Sequence, residues 1–184
     1  MSKKVRPLSK KVGQLSKKCG HDLNQPILEY FYENPHSKAT VRELALKLGM
    51  IPSTVQYNLK LLQAEKIISS ENRWLDNWQN RLKKTNYYLE KIAASGLIDY
   101  LETELAASAI ILFGSFRKGE SVAESDLDLF VECAREKELN LSKFEQELGH
   151  KIQLFTQKKI TQLPPRLLNN VINGIKLKGY FTIK

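Results

Sequence analysis

The chain has 184 residues, with 29 Lys and Arg against 20 Asp and Glu, for a formal charge of +9. Its 42% hydrophobic and 27% charged content excludes a disordered chain, and its length suits one large domain or two small ones. The charge is uneven: residues 1–18 hold seven basic side chains and no acid, residues 19–100 ten against nine, and residues 101–184 twelve against eleven. Basicity therefore argues for nucleic-acid contact at the N-terminal arm and not across the whole chain. No apolar run approaches the ~20 residues of a membrane span, and no apolar core follows the basic start as a secretory signal requires. Cys19 and Cys133 lie far apart without metal-ligand spacing. A reduced, cytoplasmic protein with no membrane partner is the expectation.

The arm, residues 1–20, repeats LSKK at 8–11 and 15–18. Val5, Leu8, Val12, Leu15 and Cys19 fall on one helical face, but Pro7 and Gly13 weaken that helix. Two readings stay open: a solvated basic extension, or an arm that orders on DNA or a partner.

Residues 21–91 read as a second region. From Pro26, the residues Ile27, Leu28 and Phe31 form an apolar helical face that Asn34-Pro35 ends. Thr40 and Glu43 make a capping box ahead of Val41, Leu44, Ala45 and Leu48, and Gly49 stops that helix. Pro52-Ser53-Thr54 then opens another, with Val55, Leu59 and Leu62 on its buried side. Helix, tight turn and helix is the helix-turn-helix pattern. Lys66–Ser70 and Thr85–Leu89 read as two strands around a loop, which would form a wing. Trp74 and Trp78 sit in that loop, expected to pack under it, with a dimer surface as the other reading.

This stretch resembles a winged-helix DNA-binding domain of the prokaryotic regulator type. The resemblance implies double-stranded DNA as partner and, by analogy, a homodimer. The second helix would enter the major groove, which makes Ser53, Thr54, Gln56, Tyr57 and Lys60 candidates for base or phosphate contact. In the wing loop, Arg73, Arg81, Lys83 and Lys84 would meet phosphates. Residues 92–107 read as a connecting helix, with Gly96 a mild flaw.

The chemistry lies in residues 108–184. Ala109–Phe113 is a compact apolar run ending in Gly114-Ser115. Asp126-Leu127-Asp128-Leu129 then alternates acid and apolar, which on a strand points both carboxylates to one face. Two adjacent carboxylates repel unless a cation lies between them, and Mg²⁺ takes such hard oxygen donors. Gly114 lets a backbone approach a phosphate closely, and Ser115 adds a hydroxyl and N–H groups for the same anion.

The segment Gly114-Ser115 … Ser125-Asp126-Leu127-Asp128 resembles the nucleotidyltransferase superfamily of the DNA polymerase beta type, in particular its minimal prokaryotic members. The expected fold class is therefore α+β: an N-terminal winged helix-turn-helix domain, then a small nucleotidyltransferase-type mixed sheet flanked by helices. The resemblance implies that Gly114, Ser115, Ser125 and Lys118 hold an NTP, with ATP the first candidate. Arg117 would assist with phosphate charge. Asp126 and Asp128 would be catalytic and hold Mg²⁺, while an acceptor hydroxyl attacks the α-phosphate and pyrophosphate leaves. The segment 167–180 is expected to be a closing helix.

Two departures are visible: a mild one at Lys118, where the family often carries Arg, and a larger one on the next strand. The family usually carries a third carboxylate on the next strand, and here Gln153 aligns with it. An amide cannot serve as general base at neutral pH. Glu132, on the same alternation as the aspartates, is a substitute to consider, and His150 reads as structural. Three functions follow: a nucleotidyltransferase with a DNA-binding domain; a regulator whose transferase-like domain is weak or inactive and senses nucleotide or dimerises; or an antitoxin-like partner of a toxin.

Overall fold

The computed structural model describes residues 25–135 and 137–182. The basic arm and Cys19 lie outside the described residues. The chain divides into two compact units, with the division between Leu75 and Asp76 rather than at 91.

In the first unit, α1 (25–33) buries Ile27 and Phe31. Thr40 caps α2 (Val41–Leu48): its hydroxyl accepts Glu43 N–H at 3.2 Å, and the Glu43 carboxylate accepts Thr40 N–H at 2.8 Å. Gly49 closes α2 in the left-handed region at φ 63°, and α3 (Pro52–Ala64) begins three residues on. The two helices pack together, with Leu44, Ala45, Val55, Leu59 and Leu62 buried.

The expected wing is not built as read. Only Ile68 and Trp74 form an antiparallel bridge across a tight hairpin, and Arg73 bridges back to Lys38. Asn72 ties this hairpin down, donating from Nδ2 to Ala39 O at 3.0 Å and accepting from Gln63 Nε2 at 2.9 Å. Trp74 is buried edge-on against Tyr32, with ring centroids 5.2 Å apart.

Thr85–Leu89 is not a strand but the middle of α4 (Trp78–Ala94), which belongs to the second unit. Asn77 caps α4 by accepting Asn80 N–H at 2.9 Å, and Asn80, Lys84, Thr85, Tyr88 and Ile92 form its buried stripe. The Thr-Asn-Tyr-Tyr run favours a strand locally, and the helical spacing of groups that can be buried overrides it. Trp78 is 70% exposed, so it does not pack as Trp74 does. The connecting helix is also broken: Gly96, at φ 74°, separates α4 from α5 (Leu97–Leu105).

The second unit continues with β1 (Ala109–Leu112), α6 (Gly114–Lys118), β2 (Leu127–Glu132), α7 (Ser142–Leu148), β3 (Ile152–Gln157), α8 (Pro165–Ile172) and β4 (Ile175–Gly179). The expected closing helix is thus a helix followed by a strand, turned at Gly174, where a β-carbon would meet Ile111 at 2.5 Å. The sheet order is β3-β2-β1-β4, with β2 and β3 parallel and β1 antiparallel to both neighbours in the order. One face carries the cluster Ile111, Phe113, Phe130, Ile160, Leu163 and Val171. This is a mixed α+β fold, a four-stranded mixed sheet with helices. No helix among the described residues is long and apolar enough to cross a membrane.

Candidate functional site

Strand directions bring the expected residues together. The antiparallel pairing Leu112↔Leu129 puts the end of β1 beside the start of β2, and the parallel pairing Asp128↔Gln153 puts the start of β3 there too. Gly114-Ser115, Asp126, Asp128 and Gln153 therefore converge at one end of three adjacent strands. Phe113 N–H donates to Asp128 O at 3.1 Å, which locks the turn into α6 onto β2.

Gly114 sits at φ 71°, and a β-carbon there would lie 1.9 Å from Asp128 Oδ2. The missing side chain is what gives the carboxylate its place. Asp128 is half-buried and its carboxyl is held above the usual carboxylate range, first by burial and then by the charge of Asp126. Asp126 itself is exposed. A desolvated carboxylate next to a second one is a poor resting arrangement without a cation. As a donor set it fits Mg²⁺, which commonly takes one or two carboxylates and completes its shell with waters and substrate phosphates.

No cluster of three or more acidic, His or Cys ligands occurs among the described residues. Gln153 occupies the position beside Asp128 and is exposed. Glu132 is no substitute. It lies at the far end of β2, where it accepts Ile160 N–H at 2.8 Å and Ser108 Oγ–H at 2.9 Å, with buried Phe130 between it and Asp128. Same-face alternation holds for Glu132, but distance along the strand, about 3.3 Å per residue, removes it from the site.

The loop from α6 to β2 is tightly fixed. Ser125 Oγ accepts Val122 N–H at 2.9 Å, so this hydroxyl closes the loop in the structure. His150, 5% exposed, lies edge-on to Phe116 and Tyr88, and its Nδ1 is 3.0 Å from Ser125 O. A carbonyl only accepts, so Nδ1 carries the proton, and His150 supports the backbone just before Asp126. Arg117 and Lys118 end α6 and are exposed.

The residues expected to meet DNA separate into two groups. On α3, Ser53, Gln56, Tyr57 and Lys60 are exposed and Thr54 is half-buried; Arg73 is exposed on the hairpin. The other three lie on α4 in the second unit and belong to no wing. Arg81 is bound by Asp76, at 2.6 and 2.7 Å, and by Glu120. Lys84 is 1% exposed and donates to Ser121 O, which removes it from any phosphate. Only Lys83 of these three is exposed. Lys84 as a buried group escapes a strand reading of 85–89; it becomes visible once Asn80, Lys84 and Tyr88 are placed four apart on one helix.

Residues 95–179 match a family model described as polymerase beta, nucleotidyltransferase. No curated protein and no solved structure matches the chain. The match spans β1 to β4 and the Gly114/Asp126/Asp128 site, and it supports a nucleotidyltransferase-like function for the second unit.

Proposed function

We propose that the chain is a Mg²⁺-dependent nucleotidyltransferase, moving a nucleoside monophosphate from an NTP, ATP in the first instance, to an acceptor hydroxyl. The carrying observation is the packing of Gly114 against Asp128 where three strand ends converge, with Asp126 alongside. Gly114 and Ser115 present the turn that receives the β- and γ-phosphates, Lys118 and Arg117 lie close in sequence to offset their charge, and Asp126 and Asp128 provide the oxygen donors. Bound Mg²⁺ would supply charge neutralisation and polarise the phosphate that is attacked. The first unit is proposed as a winged-helix DNA-binding domain with a reduced wing, the hairpin around Ser70–Asn72, and α3 as the helix that meets double-stranded DNA. A homodimer is the expected state by analogy.

Gln153 favours a second reading. With an amide beside Asp128, the chain has no carboxylate on β3 to take the acceptor's proton. In that case the second unit binds a metal–nucleotide complex without efficient transfer, and the protein is a nucleotide-responsive regulator. The two separate in one experiment: full-length protein incubated with labelled ATP, Mg²⁺ and cell extract. Transfer of label, abolished by Asp126→Ala/Asp128→Ala, supports the enzyme. Nucleotide binding with no transfer supports the regulator.

A further inference from the structure

The family match begins at residue 95, yet the helix before it holds the site's loop in place. We infer that α4 is a working part of the nucleotidyltransferase-type site, with Lys84 the positioning residue that fixes the segment delivering Asp126. This rests on the reading of Asp126 and Asp128 as the metal-binding pair.

Helix α4 touches the segment from α6 to β2 along its length. Thr85 Oγ1 lies 3.2 Å from Phe116 O and 3.4 Å from Arg117 O, at the end of α6. Gly119, at φ 69°, presses on the α4 backbone so closely that a β-carbon would lie 2.3 Å from Arg81 O. Arg81 binds Glu120, Lys84 binds Ser121 O, and Ser121 is itself 1% exposed. Tyr88 packs edge-on to Phe116, with centroids 4.7 Å apart, and to His150 at 5.6 Å, and His150 in turn donates to Ser125 O. The last of these contacts is one residue from Asp126.

Lysine is an expensive choice for such a place. Removing an ammonium from water is unfavourable, and an apolar side chain of similar volume commonly stabilises a fold as well or better. What the ammonium adds is direction. Residues 119–124 join a helix to a strand without belonging to either, so no sheet ladder orients their carbonyls; Val122 O is held by Ser125 N–H at 2.9 Å, and Ser121 O by Lys84. A charge-assisted donor from below sets where Ser121 O sits, and with it the course of the chain into Ser125 and Asp126. One residue earlier Arg81 holds the Glu120 carboxylate instead of a carbonyl, and Asp76 anchors its guanidinium.

The test uses full-length protein carrying Lys84→Met, which keeps length and removes the charge, and Lys84→Arg, which keeps the charge. Mn²⁺ affinity is read by electron paramagnetic resonance, and loop order by amide hydrogen exchange over residues 119–126. Lys84→Met is expected to weaken Mn²⁺ binding at least tenfold and to speed exchange in that segment, while exchange in β1 and β2 keeps its wild-type rate. Lys84→Arg should recover most of the affinity. Should Lys84→Met fail to fold, Arg81→Gln, at a partly exposed position, is expected to give the same pattern at three- to tenfold. Wild-type affinity and wild-type exchange in these variants would overturn the inference. A wild-type protein that binds no Mn²⁺ contradicts the metal-site reading instead, and the bracing role then stands or falls on the exchange rates alone.

Discussion

Gly114 and Asp128 are in direct contact, with no room between them for a single carbon: a β-carbon at Gly114 would lie 1.9 Å from Asp128 Oδ2. Gly114→Ala is therefore expected to act twice. The left-handed backbone at φ 71° costs a side chain about 1–2 kcal/mol, and the methyl group must push the carboxylate aside. Thermal unfolding should shift down by several degrees, and Mn²⁺ affinity should drop more than tenfold. Unchanged affinity would mean that Asp128 is not held by this contact.

Asp128→Asn should raise stability while removing metal binding. The Asp128 carboxyl sits above its ordinary 3.8, through burial and then through Asp126, so the folded protein holds that proton more tightly than the unfolded chain does. The stabilisation tied to the protonated form is present at low pH and is lost as pH rises from 3.8 through the raised value. The variant should melt above wild type at pH 7 and level with it near pH 3. A lower melting temperature at pH 7 would count against a charge-strained site.

Gln153→Glu places a third carboxylate beside Asp128 in the β2–β3 register. The added charge should tighten Mn²⁺ binding roughly tenfold and, without metal, lower the melting temperature by about 2–4 °C. If Gln153 is what limits chemistry, the same variant gains label transfer from ATP. Loss of Mn²⁺ affinity would show that residue 153 does not face the pair.

DNA binding is expected to depend on α3 and the hairpin, not on all of the basic residues in 73–84. Lys60→Ala should weaken binding to duplex DNA and reduce the slope of log affinity against log salt by ~1. Deleting residues 1–18, with their seven basic side chains, should flatten it further. Lys84→Met should leave the slope as it is. An equal effect of Lys84→Met and Lys60→Ala would place DNA elsewhere.

The convergence of the candidate site residues is more legible in the sequence than the elements around them. Gly114-Ser115 and Asp126-x-Asp128 are legible because a turn and a half-buried strand each leave a local signature, and the Thr40/Glu43 box and Gly49 are equally local. Gln153 is also legible, through its place on the strand after α7. The second wing strand is not legible as a helix because Thr85–Leu89 has strand-forming side chains, while the burial that makes it a helix comes from a partner far along the chain, Phe116, against Thr85 and Tyr88. Lys84 and Arg81 looked like phosphate ligands for the same reason. Ser121 O, the acceptor of Lys84, and Glu120, one partner of Arg81, are 37 and 39 residues away and invisible to any local pattern, whereas Asp76, the other partner of Arg81, is only five residues away.

The central claim, that Asp126 and Asp128 form a metal–nucleotide site, is tested most directly by calorimetric titration of full-length protein with ATP in the presence of Mg²⁺, beside Asp126→Ala/Asp128→Ala. Wild-type binding that depends on Mg²⁺ and falls at least tenfold in the variant is the expected result. Equal binding by both proteins, or binding indifferent to Mg²⁺, would contradict it.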